Sequence, residues 1–383
     1  MTTSYFATTS RGLEEITAQE LTTLGAKEVK TDFTGVHFQG DKELLYRVNL
    51  WGRTIFRVLK PIATIKSQTP QQLFRNVQKI DWSEFLQPQQ TLAIRCTGKN
   101  DQLNHSHFTA IQIKNAIVEQ QQKYHKVRSR SGSASLRSNI DTNSPDIVIN
   151  AHIHNDECIL SLDSTGESLH RRGYRPAVGL APLKETLGAA LLYIAEWDSS
   201  IPLYDPFCGS GTILIEGALM GLNIAPGLYR HQFCFENWQD YDHNLWQHLI
   251  DEARKSQKTD LPPIVGTDID SSIIKQAQHN AKTCQIANHV EFFQRHLVDA
   301  TPPAESGILI CNPPYGKRLE DTEALFPLYK LLGDILKQRF KGWTAYILTG
   351  NKLLTKKVGL RTSRRIAINN GGIDCTLLKY ELY

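Results

Sequence analysis

No stretch of this 383-residue sequence approaches the roughly 18 consecutive apolar residues that a bilayer span requires. The richest candidate, Gly211 to Leu222, is too short and is broken by Glu216. The opening residues Met1-Thr2-Thr3-Ser4-Tyr5 lack the basic region and apolar core of a secretory signal, so a cytoplasmic chain with no membrane partner is expected. Paired cysteines are missing too: Cys96, Cys158, Cys208, Cys234, Cys284, Cys311 and Cys375 are scattered, with no C-x-x-C. That spacing argues against a disulfide framework and a structural zinc site, and reads as reduced, mostly core thiols. Two His-x-His pairs, His105/His107 and His152/His154, would put both rings on one strand face. Neither has carboxylate or thiol company, so no metal is expected. Internal repeats and low-complexity tracts are absent as well.

What is present is a mildly basic composition of soluble type, with net charge +4, 40% hydrophobic and 21% charged residues. The length suits two or three domains. Net charge alone says little about nucleic acid, but its distribution is uneven. Lys123, Lys126, Arg128, Arg130 and Arg137 fall together. So do Arg171, Arg172 and Arg175, and again Lys352, Lys356, Lys357, Arg361, Arg364 and Arg365. Any one such cluster is usually a solvated face; three of them point toward a polyanion.

The first half reads as mixed α/β. A short strand at Tyr5 to Thr8 leads to a helix over Leu13 to Leu24, closed by Gly25, and then a hairpin over Val29 to Phe38 and a helix over Asp41 to Asn49. Strands are expected at Ile55 to Ile65, Thr91 to Cys96, Asp146 to Ile153 and Glu157 to Leu162, and helices at Pro70 to Ile80 and His107 to Tyr124. Ser129 to Ser138 is loop-like. From about residue 180 strands and helices alternate. An amphipathic helix is expected over Leu183 to Trp197, followed by a strand into Asp205 and a helix from Thr212 to Met220. Further strands are expected at Ile264 to Asp268, Val290 to Phe293, Gly307 to Cys311 and Ala345 to Thr349, with helices over Ser271 to Thr283 and Leu325 to Arg339. That alternation implies a parallel, doubly wound sheet. The tail, turning at Asn370-Gly371-Gly372, reads as an antiparallel hairpin at one edge.

Two segments carry chemistry. Asp205-Pro206-Phe207-Cys208-Gly209-Ser210-Gly211-Thr212 lies where a strand ends and a helix begins, the position at which an open α/β sheet binds its ligand. Gly209 and Gly211 permit close backbone approach. Asp205 would repel a pyrophosphate but suits the ammonium of a methionine moiety, and Leu214 replaces the third small residue of a dinucleotide fingerprint. The next strand should end in an acid for ribose hydroxyls; Asp268, with Ile269 beside it, is favoured over Asp270. Asp299-Ala300 is the candidate contact to an adenine amine. The spacing makes residues from about Asn223 to Pro263 an insertion, whose aromatics Tyr229, Phe233, Phe235, Trp238, Tyr241 and Trp246 are expected to pack on this domain.

The second segment, Asn312-Pro313-Pro314-Tyr315, follows the apolar strand Gly307 to Cys311. Its prolines cannot extend that strand and stiffen the backbone at its mouth. An exocyclic base amine is a poor nucleophile because its lone pair is delocalised into the ring. The Asn312 side-chain carbonyl and the Pro313 backbone carbonyl are suited to accept its two N–H bonds, and Tyr315 offers a stacking face. Asn312 is also expected to border the ligand of the glycine turn. A base treated this way must leave its helix or already be unpaired.

Together, Asp205 to Thr212, Asp268 and Asn312 to Tyr315 resemble the class I methyltransferases of the amino-methylating N-P-P-Y group. Three further segments extend the likeness: Phe6-Ala7-Thr8-Thr9-Ser10-Arg11-Gly12-Leu13-Glu14, Leu169-His170-Arg171-Arg172-Gly173-Tyr174-Arg175, and Ala181-Pro182-Leu183-Lys184-Glu185-Thr186-Leu187. With them the chain is similar, almost end to end, to the THUMP-domain RNA methyltransferases, close to the bacterial enzymes that form N2-methylguanosine in large-subunit ribosomal RNA. The resemblance implies an α/β fold with a doubly wound, Rossmann-like class I methyltransferase domain at 163–383. Before it would come the N-terminal part of an α+β ferredoxin-like domain at 1–45 and a THUMP RNA-binding domain at 46–162.

The same resemblance implies methyl transfer from S-adenosylmethionine to guanine N2 in RNA, 23S ribosomal RNA foremost, without a metal. The same chemistry on transfer RNA guanine or on adenine N6 stays open. Arg171, Arg172, Arg175 and Lys184 would lie at the cleft and meet RNA phosphate, or else form salt bridges at a domain junction. Long members of the group carry a second methyltransferase domain; this chain ends after one, so a second activity is not expected. A dinucleotide-dependent oxidoreductase is opposed by Asp205 and Leu214. A non-catalytic RNA-binding or assembly factor would have no need of Asn312 to Tyr315.

Overall fold

The computed structural model describes residues 2–87, 89–128, 145–175, 183–316 and 319–383, with only the backbone at 123–128, 319 and 321. The loop expected at Ser129 to Ser138, the side chains of the first basic cluster, and Ala181-Pro182 therefore lie outside the described residues.

The N-terminal half is built on one seven-stranded sheet. Its strands are β1 (Thr3–Thr8), β2 (Lys27–Asp32), β3 (Gly35–Gly40), β4 (Arg57–Lys66), β5 (Leu92–Lys99), β6 (Ile147–His154) and β7 (Glu157–Asp163), in the order β2-β3-β1-β4-β7-β6-β5. Helices α1 (Glu14–Thr23), α2 (Lys42–Trp51), α3 (Pro70–Val77) and α4 (Ser106–Arg128) complete it. Pairing of β1 with β4 and of β4 with β7 makes the sheet continuous from the first strand to Asp163. Local signals place the helix ends: Asp41 caps α2 by accepting from the Leu44 N–H, Thr69 caps α3, and Gly25 takes φ +100° after α1. His105 and His107 fall at the start of α4, so only His152 and His154 share a strand. Among the described residues no three His, Cys, Asp or Glu side chains are grouped to hold a metal.

The second half is the expected doubly wound sheet. After α5 (Glu185–Ile194) come β8 (Leu203–Asp205), α6 (Thr212–Gly221), α7 (His243–Lys255), β9 (Ile264–Asp268), α8 (Ser271–Thr283), β10 (Glu291–Gln294) and β11 (Gly307–Cys311). Next are α9 (Leu319–Ala324), α10 (Phe326–Arg339), β12 (Trp343–Thr349), α11 (Lys352–Lys357), β13 (Arg364–Asn370) and β14 (Ile373–Glu381). The order is β10-β9-β8-β11-β12-β14-β13, parallel through β12 and closed by an antiparallel hairpin. β8 and β11 are buried along their whole length, which is why the sequence shows unbroken apolar runs there. The chain winds from β8 outward to β9 and β10, then returns to β11 on the other side of β8. A topological switch point therefore opens at the carboxyl ends of β8 and β11. Among the described residues no helix is long and apolar enough to cross a membrane.

Two expectations need correction. α5 is not amphipathic: every residue from Glu185 to Ile194 except Tyr193 is buried, because it lies between α6 and the first half rather than on the surface. The aromatics of the 223–263 insertion mostly do not pack on the methyltransferase-like sheet. Phe233, Phe235, Trp238 and Trp246 belong to the core of the N-terminal half, with Tyr46 of α2 stacked on Phe235 at 4.3 Å. The insertion thus crosses over and joins the two halves.

Candidate active site

Four loops meet at the carboxyl ends of neighbouring parallel strands. Asp205 ends β8 level with Gly266 of β9, and Asp268 ends β9 level with Gln294 of β10. Asn312 follows β11, which pairs with β8 through Leu309 and Tyr204. Register alone therefore gathers the residues that the sequence singled out.

Asp205 is buried, and one oxygen accepts from the Phe207 N–H at 2.9 Å. Among the described residues no cation pairs with it. Burial, and secondarily the neighbouring charge of Asp268, push its pKa well above the ordinary carboxylate range. A ligand ammonium would relieve both effects. Asp268 is fixed by two backbone donors, Gly209 N–H at 3.1 Å and Asp270 N–H at 3.0 Å. Asp270 is exposed and caps α8 by accepting from Ser272 N–H and Oγ, whereas Asp268 at the strand end has no such capping role.

The intervening turn is shaped by its glycines. Gly211 holds φ +83° at the start of α6, and a Cβ there would come within 2.8 Å of the Phe292 ring. Gly209 holds φ +53° but faces open space, so its backbone is the approachable one. Asn280 of α8 donates to Ser210 O at 3.0 Å and pins the turn from below. Pro206 and Cys208 are buried and Phe207 is half-buried. At the rim, Ile269 exposes 63% of its surface directly after Asp268, and Asp299 is exposed beside buried Ala300. An exposed isoleucine next to a fixed carboxylate makes an apolar shelf beside a hydroxyl acceptor, the pairing a nucleoside needs.

In the second segment, Asn312 Oδ1 is buried without a hydrogen-bond partner. An acceptor in that state costs about 1–3 kcal/mol unless a donor arrives. Pro313 is buried, Pro314 is exposed, and Tyr315 is half-buried. Tyr315 is held from the β12 side: a Cβ on Gly350 would lie 3.0 Å from its ring, and its hydroxyl accepts from Asn370 Nδ2 at 3.3 Å. These features fit an adenosyl-methionine ligand: a buried carboxylate for the ammonium, a fixed carboxylate for the ribose, an open glycine turn, and an unpartnered acceptor at the next strand end.

The four residues expected to meet phosphate divide. Arg172 is 2% exposed and pairs with Glu216 of α6 at 3.2 Å. It also donates to Gly52 O, Arg53 O and Leu169 O, so it is a junction residue and cannot reach a ligand. Arg175 is likewise taken up internally, by Glu185 at 2.8 Å, Thr212 Oγ1 at 3.1 Å and Leu183 O at 3.3 Å. Arg171 is exposed but paired with Glu167, and Lys184 sits over the Phe56 ring at 4.9 Å. Reading the sequence missed Asn280, Phe292 and Arg53. Glu216 gave a usable signal, since a charge inside the apolar run Gly211 to Leu222 must have a buried partner.

The chain is similar to known proteins along its whole length. Residues 172–379 match the RMKL-like methyltransferase domain, residues 4–59 the RlmL ferredoxin-like domain and residues 67–163 the THUMP domain. A Synechocystis protein named as a candidate RNA methyltransferase is 56% identical, over 100% of this chain and 97% of that one. Ribosomal RNA large subunit methyltransferase K/L of Methylococcus capsulatus is 38% identical over 100% of this chain but 52% of its own length. The chain thus spans about half the length of the K/L relatives it matches. Among solved structures, a candidate methyltransferase complexed with SAH superposes at TM-score 0.88 with 31% identity, covering 100% of this chain and 98% of that one. A Listeria monocytogenes protein, named for a predicted N6-adenine-specific DNA methylase activity, superposes at 0.87 with 33% identity, covering 100% and 97%.

Proposed function

The chain belongs to the RMKL-like methyltransferase family, and from that premise we propose that it is an S-adenosylmethionine-dependent RNA methyltransferase acting on guanine N2, with large-subunit ribosomal RNA as substrate. The observation that carries the reading is the orphan Asn312 Oδ1, placed beside the Asp205 and Asp268 strand ends. S-adenosylmethionine, when bound, would supply an electrophilic methyl group for direct in-line attack: the amine nitrogen would gain the methyl as its bond to sulfur breaks, S-adenosylhomocysteine would leave, and the excess amine proton would pass to solvent. The chain's own residues do the rest. Asp205 holds the ammonium, Asp268 the ribose hydroxyls, and Ile269 with Asp299-Ala300 borders the adenine. Asn312 Oδ1 and the Pro313 carbonyl accept the two N–H bonds of the target amine and turn its lone pair out of conjugation. The prolines keep those two acceptors fixed, so little reorganisation is needed as the bond forms.

RNA as the substrate class is supported by the THUMP match over residues 67–163 and by the relatives named for RNA. The name of the Listeria structure favours a second reading, adenine N6, by the same chemistry. Nucleoside mass spectrometry of RNA from a strain lacking the gene separates the two. Loss of N2-methylguanosine from 23S RNA is expected. Loss of N6-methyladenosine, or a loss confined to transfer RNA, would overturn the base or the substrate.

A further inference from the structure

Between Asp334 and Asp374 the chain carries nine Lys and Arg residues and no Asp or Glu, although the whole chain is only +4. The remainder is therefore net acidic, and the basic character of the protein is concentrated here. Six of the nine, Lys352, Lys356, Lys357, Arg361, Arg364 and Arg365, are exposed along one continuous stretch from α11 into the start of β13. Among the described residues none of the six forms an ion pair. Lys357 lies over the Phe326 ring at 4.2 Å and Arg365 donates to Thr362 Oγ1, contacts that leave both charges in place. An ordinary solvated face intersperses both signs, whereas unrelieved like charge costs self-repulsion that packing does not require.

This stretch is anchored to the candidate catalytic loop at both ends. Asn351, the cap of α11, donates to Tyr315 O at 3.4 Å, and Asn370, the last residue of β13, donates to the Tyr315 hydroxyl at 3.3 Å. Two apolar side chains stand exposed near those anchor points: Leu353 at 47% and Ile373 at 39%. Ile373 and the Tyr315 ring both crowd Gly350, so the apolar lip adjoins the N-P-P-Y turn directly.

We infer that residues 352–365 form a phosphate track for the RNA nucleotides flanking the methylated base, with Leu353 and Ile373 as the apolar lip against which the unstacked base region rests. The inference rests on the reading of the protein as an RNA methyltransferase. A base withdrawn for modification brings its neighbours' phosphates to the rim of the site. Of the other basic residues expected at the cleft, Arg172 and Arg175 are taken up inside the protein and Arg171 is paired with Glu167.

The test uses the full chain and an unmodified 23S RNA transcript, with affinity measured over a salt series. The fourfold variant Lys356→Gln, Lys357→Gln, Arg364→Gln, Arg365→Gln is compared with the charge-conserving set Lys356→Arg, Lys357→Arg, Arg364→Lys, Arg365→Lys. Each lost phosphate contact flattens the dependence of log K on log salt by about 0.7. The Gln variant should lose about 2–3 in slope and at least tenfold in affinity, while the charge-conserving set stays close to wild type. S-adenosylhomocysteine affinity should be unchanged in both. The two Gln pairs are also measured separately, so that instability of the fourfold variant does not remove the test. Wild-type affinity and slope in the Gln variants, with wild-type protein methylating RNA, would overturn the track alone. Failure of the wild-type protein to bind or methylate any RNA would overturn the underlying reading with it.

Discussion

Arg172 and Glu216 form a buried ion pair, Nη2 to Oε2 at 3.2 Å, that fastens the helix carrying the glycine turn to the N-terminal half. The same guanidinium donates to Gly52 O and Arg53 O, and the Arg53 side chain returns to Leu219 O and Ile224 O at the far end of α6. Arg175 holds Thr212 at its near end. One helix is thus tied along its length to the half that contains the THUMP match.

Removing one partner of such a pair leaves the other charged and buried, at a cost of about 3–5 kcal/mol. Arg172→Ala is expected to lower the urea midpoint substantially. Glu216→Gln should cost less, because an amide oxygen still accepts from the guanidinium. The double variant Arg172→Met, Glu216→Leu should recover only part of the loss, since the carbonyls of Gly52, Arg53 and Leu169 lose their donor in either case. Wild-type midpoints for Arg172→Ala would show that the junction is not held here.

The glycine turn makes a graded prediction. In Gly211→Ala a methyl group meets the Phe292 ring at 2.8 Å at φ +83°, whereas in Gly209→Ala it enters open space at φ +53°. Strain of this kind costs about 1–3 kcal/mol. Calorimetry should show S-adenosylhomocysteine affinity at least tenfold weaker in Gly211→Ala. In Gly209→Ala the methyl fills the open space against the approachable backbone, so S-adenosylhomocysteine affinity should fall there too, while the urea midpoint falls less than in Gly211→Ala. Equal affinities for Gly211→Ala and wild type would contradict the proposed placement of the ligand on this turn.

Much of this was legible beforehand, and the parts that were not share a cause. β9, α8 and β11 fall where the sequence places them, because parallel central strands buried on both faces must be apolar runs and Asp270 supplies a plain cap. The turns in the two chemical segments could be placed because backbone shape is encoded locally, in glycines and prolines. Arg172, Arg175 and the insertion aromatics were misread for the opposite reason. Whether an arginine faces solvent or Glu216, and whether Phe235 covers its own sheet or Tyr46, depends on partners far along the chain that no local pattern reveals.

Asn312→Ala removes the orphan acceptor without touching Asp205 or Asp268. Loss of one group that stabilises only the transition state costs about 10²–10³ in kcat. Single-turnover kinetics should show that fall with unchanged S-adenosylhomocysteine affinity. A fall in ligand affinity without a rate effect would assign Asn312 to cofactor binding alone.

His170 gives a pH signature. Burial, reinforced by Lys184, Arg171, Arg172 and Arg175, holds its pKa at about 4 against the ordinary 6.5. The unfolded chain therefore binds a proton that the folded one refuses between those values. Stability from this group is complete above pH 6.5 and is lost progressively as pH falls toward 4. Half exposure and solvent screening reduce the effect to about 1–2 kcal/mol. His170→Gln should flatten the stability profile across that window, as read from urea midpoints between pH 4 and 7. An unchanged slope would mean that the imidazole is solvated.

The most direct test is methyl transfer in vitro, with labelled S-adenosylmethionine and separated 23S, 16S and transfer RNA from a strain lacking the gene. Label recovered as N2-methylguanosine in the 23S fraction is the predicted result. Absence of label from every RNA fraction, with S-adenosylhomocysteine binding intact and the matching ribosomal particles equally unlabelled, would contradict it.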